Sequence, residues 1–182
     1  MNSTFDTFAN NKLSFVTFNY DRTVEHFFFS ALSNTYNREE ADVRAVLQHI
    51  PVVHLHGRLG ALPWQGGPSR PFGTNVTRES LRVAADSIKI IHEDVTDGRD
   101  QDFAQAKKLL TEAEQIFLVG FGYNATNVER LGIANLPDHK MIGTSIGLGP
   151  KSKLAAKTVT GAKVQLMDCS CTHIVQEVMR WS

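Results

Sequence analysis

Apolar residues along this chain fall into short unbroken runs, separated by segments in which they recur every three or four positions. The runs Leu13–Phe18, Pro51–Leu55, Ile88–His92, Ile116–Gly120, Lys140–Thr144 and Lys163–Met167 are rich in β-branched and aromatic residues and predict strands. Ile116-Phe117-Leu118-Val119 is apolar without a break, the pattern of a strand covered on both faces, as in parallel sheets. Between the runs, helical spacing predicts helices near residues 21–32, 38–49, 80–85, 101–113, 124–132, 151–160 and 171–181. Their apolar stripes include Val24, Phe27, Phe28 and Ala31 in the first, and Ala41, Val43, Val46 and Leu47 in the second, which Pro51 stops. Phe103, Ala106, Leu109, Leu110 and Ala113 form the stripe of the fourth. From Ile88 onwards strand and helix alternate strictly, which predicts a parallel α/β sheet joined by right-handed crossovers.

Two stretches break the pattern. Residues 1–12 are polar and weakly patterned and read as a surface lead-in. Residues 58–78 are dense in Gly and Pro around Trp64 and Phe72, a long ordered loop of the kind that covers functional sites. A length of 182 residues fits a single domain, residues 1–182, with a substantial core. Lys and Arg together equal Asp and Glu at 19 each, so no broad field for nucleic acid or an anionic membrane is expected. No run approaches a membrane span and no signal peptide is visible. With only Cys169 and Cys171, a disulfide framework is excluded and the cytoplasm is the expected compartment.

Candidate chemistry gathers where predicted strands end, which is where open α/β sheets bind ligands. Thr17-Phe18-Asn19-Tyr20-Asp21 offers a hydroxyl, an amide and a carboxylate, and Asp21 is also a candidate helix cap. His54-Leu55-His56-Gly57 offers imidazoles beside a glycine that admits a ligand to the backbone. Alternation along a strand would put His54 and His56 on one face, a weak metal pair with no further ligand in support. Gly120-Phe121-Gly122 turns the chain into a helix but lacks the full dinucleotide fingerprint. For each stretch a purely structural role, as a turn, a cap or a core histidine, stands beside the functional one.

Taken in order, Thr17–Asp21, then His54–Gly57, then Glu114–Leu131 resemble the sirtuin-like domains of bacteria and phages. These are relatives of the NAD-dependent sirtuin deacylases, and several act as NAD-hydrolysing effectors in antiphage defence. The resemblance spans roughly Leu13 to Met179. It implies a Rossmann-like fold with helices on both faces of the sheet and NAD as the substrate. It implies catalytic roles for Asn19 and for His56, the latter as general base. NAD contacts are implied for Thr17, Asp21, Gly57, Gly120, Phe121, Gly122 and Asn127. The string Gly143-Thr144-Ser145 also resembles the family's Gly-Thr-Ser motif, but by order of elements the Gly120 turn takes that place.

Two departures shape the expectation. Residues 58–115 hold no Cys, so the four-thiolate zinc module of the deacylases is missing, no zinc is expected, and hydrolysis is favoured over deacylation. Nothing before Leu13 matches the family's first strand and Gly-Ala-Gly-x-Ser turn, so the chain is expected to lack that N-terminal unit. The expected partners are NAD and either a second copy of the chain or a fused or partnering sensor domain. The alternatives are a module that senses NAD or a related nucleotide without turnover, and an interaction domain whose site has lapsed.

Overall fold

The structure, a computed structural model, describes residues 4–88, 101–138 and 140–178. It is a mixed α/β protein that divides into two compact units, Met1–Asp102 and Phe103–Ser182. The described strands form two parallel sheets, one of two strands and one of three. No described helix is long and apolar enough to cross a membrane.

The first unit runs α1 (Phe5–Phe8), β1 (Phe15–Thr17), α2 (Thr23–Tyr36), α3 (Glu40–Leu47), β2 (Val52–His54) and α4 (Arg78–Ser87). β1 and β2 pair in parallel with Phe15 opposite Val52 and Thr17 opposite His54. Parallel neighbours need a long crossover, and α2 with α3 provides it. α2 begins at Thr23 with Arg22, not Asp21, at the cap position and no side chain capping the helix; the Asp21 carboxylate, one residue earlier, accepts the Thr23 N–H at 3.0 Å in a local turn. The helix ends at Asn37 in the left-handed conformation, φ 47°.

Two further sequence readings are corrected here. Residues 5–8 are not a surface lead-in: Phe5 is buried with Leu32, Val43, Val46 and Leu47, and its ring meets Tyr36 edge-on at 5.6 Å. That contact holds the last turn of α2, which extends past the predicted end at Leu32. The buried stripe of α2 is also rotated by one position. Glu25 and Leu32 are buried, with Phe28 and Phe29 packed against the core, whereas Phe27 is 63% exposed.

The loop 58–78 is anchored over its first half. Leu62 is 1% exposed, Pro63–Gln65 form a single 3-10 turn, and Trp64 stacks on Phe29 at 5.1 Å with the rings 8° apart. Phe72 stacks on His26 at 4.1 Å. Ile88 makes an isolated antiparallel bridge to Gly57; the remainder of the strand predicted at Ile88–His92 lies outside the described residues.

The second unit opens within α5 (Gln101–Glu112) and continues as β3 (Gln115–Leu118), α6 (Ala125–Leu131), β4 (Lys140–Thr144), α7 (Pro150–Val159), β5 (Val164–Met167) and a short α8 (Cys171–His173). A π-helical turn, Ile174–Val178, follows, and the predicted helix beyond it, residues 179–181, lies outside the described residues. The strand order is β3-β4-β5, all parallel. Ile116, Leu118, Met141, Ile142 and Val164 from the strands and Val128, Leu131 and Ala156 from the helices are buried. α6 is started by Asn124, whose side-chain oxygen accepts the N–H groups of Thr126 at 3.0 Å and Asn127 at 3.4 Å. Asn124→Ala should therefore lower stability by about 1 kcal/mol. Equilibrium denaturation reads this directly, and a variant as stable as the parent would show that the cap contributes nothing.

Candidate functional site

In the first unit, the two polar stretches singled out above leave the carboxyl ends of two adjacent parallel strands, β1 and β2. The turn after β1 is fixed through its backbone. The Asn19 N–H donates to Thr17 Oγ1 at 3.0 Å, and the Asn19 carbonyl accepts from His54 Nδ1 at 2.8 Å. The residue itself is exposed, so its amide stands at a rigid loop edge. Asp21 is exposed as well. Hydrogen bonds from the Thr23 side chain and backbone hold its carboxyl below the ordinary carboxylate range.

After β2 the chain turns at Gly57, which has φ +76° and donates its N–H to the His54 carbonyl at 3.1 Å. A side chain would be strained in that left-handed conformation, and the tight turn is what places His56. His56 is 8% exposed, with the rings of Phe18 and Tyr20 centred 5.4 and 6.5 Å away. β2 ends at His54, and the two histidines meet different neighbours. His54 turns instead to α2 and the Asn19 loop, and among the described residues no group of three or more His, Cys, Asp and Glu could hold a metal.

His54 is the best-defined polar group of this edge. Its Nε2 lies 2.9 Å from Glu25 Oε1, both side chains are almost fully buried, and its Nδ1 faces a carbonyl oxygen. Both ring nitrogens thus face oxygen atoms, an arrangement that favours the doubly protonated imidazolium. Burial pushes the imidazole pKa down. The hydrogen bonds to Glu25 and to the Asn19 carbonyl, together with the charge of Glu25, outweigh burial and leave it raised. The sequence reading placed His54 only as a neighbour of His56 and did not single out Glu25. A signal was present: Glu25, Phe28, Phe29 and Leu32 stand at i, i+3, i+4 and i+7, and a carboxylate on an apolar stripe needs a buried partner.

In the second unit, Gly120, Phe121 and Gly122 follow β3. The Gly120 N–H donates to Thr144 Oγ1 at 2.9 Å, across to the end of β4. The Gly120 turn and the Gly143-Thr144 string, read from the sequence as rival matches to one motif, are therefore hydrogen-bonded neighbours. Phe121 packs edge-on against Tyr123 at 5.2 Å, Gly122 is exposed, and Asn127 is half-buried on α6 with its N–H on the Asn124 cap. Two N–H groups that a phosphate could use here are already satisfied within the protein.

A cavity of about 260 Å³ opens elsewhere in the first unit, at the amino end of β2, between Phe28, Leu47, Ile50, Val52 and Trp64. Neither Asn19 nor His56 lines it. No protein-family model, no curated protein and no solved structure matches this chain.

Proposed function

We propose that this chain is a sirtuin-like domain of Rossmann-like type that consumes NAD by hydrolysing its nicotinamide–ribose bond. The observation that supports this reading is the common origin of Asn19 and His56 at the carboxyl ends of paired parallel strands within one unit. Water attacks the anomeric carbon as the bond to the pyridinium nitrogen breaks, through a transition state with oxocarbenium character. Nicotinamide leaves neutral, and the proton lost by water passes to His56, an imidazole suited to that transfer near neutral pH. The Asn19 amide orients water or the ribose by hydrogen bonding, its backbone being held on both sides. Phe18 and Tyr20 beside His56 limit competing solvent.

A second reading, nucleotide binding without turnover, uses the same edge after β1 and β2 but requires no proton transfer to His56. Chromatographic measurement of nicotinamide released from NAD separates the two. Release by the parent that falls by about 100-fold or more in folded His56→Ala supports hydrolysis. Saturable NAD binding without release supports the binding module. Neither binding nor release removes NAD from the function.

A further inference from the structure

Three guanidinium groups gather in the loops that follow β1 and β2. Arg22, three residues after Asn19, is 4% exposed and donates through Nη1 to the carbonyls of Ala61, at 3.2 Å, and of Arg70. Arg58, two residues after His56, donates to Gln65 Oε1 at 3.2 Å and lies 3.9 Å from Glu25 Oε1. Arg70 is half-buried, and its N–H donates to the Ala61 carbonyl at 2.8 Å. The Leu59 N–H donates to the Tyr20 carbonyl at 2.9 Å and stitches these loops together beside Asn19 and His56.

The charges in this cluster do not balance. Among the described residues Glu25 is the carboxylate that pairs with it; Oε1 already pairs with His54, and Oε2 is buried without a hydrogen-bond partner. Arg22 is held by neutral carbonyls, and its charge is disfavoured first by burial and then by Arg70. Arginine does not escape by losing its proton. The Nε atoms of Arg22 and Arg70 are buried without a hydrogen-bond partner. A structural role for Arg22 explains its carbonyl contacts but neither of those orphaned donors. An anion at the cluster would offset the repulsion and give Arg58 and Arg70 a ligand that matches their fork geometry. Arg58 is reachable, its side chain being 36% exposed.

We infer that Arg58 and Arg70, backed from beneath by buried Arg22, form a binding site for the pyrophosphate group of a nucleotide. That the anion is the pyrophosphate of NAD rests on the reading proposed above; the anion-binding role of the arginines does not. The site would serve in place of the Gly-rich turn that holds pyrophosphate in dinucleotide folds, by side-chain charge rather than by backbone N–H groups.

Calorimetric titration of the full chain with inorganic pyrophosphate, ADP-ribose and nicotinamide riboside tests this. Pyrophosphate and ADP-ribose should bind, and bind more weakly as salt is raised. Arg58→Gln and Arg70→Gln should each weaken both ligands by about tenfold or more, Arg58→Lys less than Arg58→Gln, and Arg44→Gln on α3 not at all. Nicotinamide riboside, which has no pyrophosphate, should respond to none of these changes. Folded Arg58→Gln and Arg70→Gln proteins that bind pyrophosphate like the parent would overturn the inference, as would a parent that binds neither anion. Pyrophosphate binding without nicotinamide release would keep the cluster and remove hydrolysis. Nicotinamide release unaffected by both Arg variants would do the reverse.

Discussion

Glu25→Ala should cost about 3–5 kcal/mol of folding stability at mildly acidic pH, and clearly less in alkaline solution. The acidic value is the cost of leaving a buried charge without its partner. Glu25 and His54 are 2.9 Å apart with side chains only 4% and 5% exposed, so neither charge has water to fall back on. The pH dependence follows from the histidine. Its folded pKa is raised, so the pair's contribution is complete below the unfolded value of about 6.5 and is lost as pH rises through the folded value. Without Glu25, burial dominates, the folded pKa falls, and protonating His54 then opposes folding. Parent and variant should therefore differ most below about pH 6.5 and converge as pH rises through the raised folded value. Urea denaturation of both at pH 5.5 and pH 8.5 measures the gap; a gap of equal size at the two values would mean the ring is not charged in the folded protein. Because His54 also donates to the Asn19 carbonyl, the same variant should loosen the loop that carries the candidate catalytic amide.

Gly143→Ala should destabilise the second unit by about 3 kcal/mol, the upper end of what overpacking usually costs. A Cβ on residue 143 would stand 1.9 Å from the Tyr123 hydroxyl oxygen, 3.1 Å from its Cζ and 3.0 Å from Val164 Cγ1. The tyrosine has little freedom to yield. It is 6% exposed, sits at φ 51°, and donates its O–H to the Thr144 carbonyl at 3.1 Å. Burial pushes its phenol pKa up to about 12, which keeps that donor in place across the working range. Tyr123→Phe removes the atom that clashes most and should relieve part of the penalty, so the double variant should lose less than the sum of the singles. Strict additivity, or a Gly143→Ala protein within about 0.5 kcal/mol of the parent, would show that β4 shifts to absorb the methyl group.

The elements of the second unit were legible along the chain: β3 to β5 and α5 to α7 lie within a residue or two of where apolar runs and helical spacing put them. These signals are local, because a strand covered on both faces or a helix with one covered face writes its burial into consecutive residues. The carboxyl-end positions of Asn19, His56 and Gly120 were legible for the same reason, since each directly follows an apolar run. The partners of these residues were not. The face α2 buries was misread by one position because Glu25 turns inward to His54, and nothing near residue 25 in the sequence announces an imidazole near residue 54. Phe5 looked like surface because its neighbours are polar, and only Tyr36 and the α2–α3 core make it interior. The two glycine strings looked like competitors until the pairing of β3 with β4 joined Gly120 to Thr144. Local periodicity thus determined which segments are strands and helices and which polar residues stand at their ends. Which buried charge meets which, and where a methyl group cannot fit, was decided by contacts between residues far apart in sequence, which no short window contains.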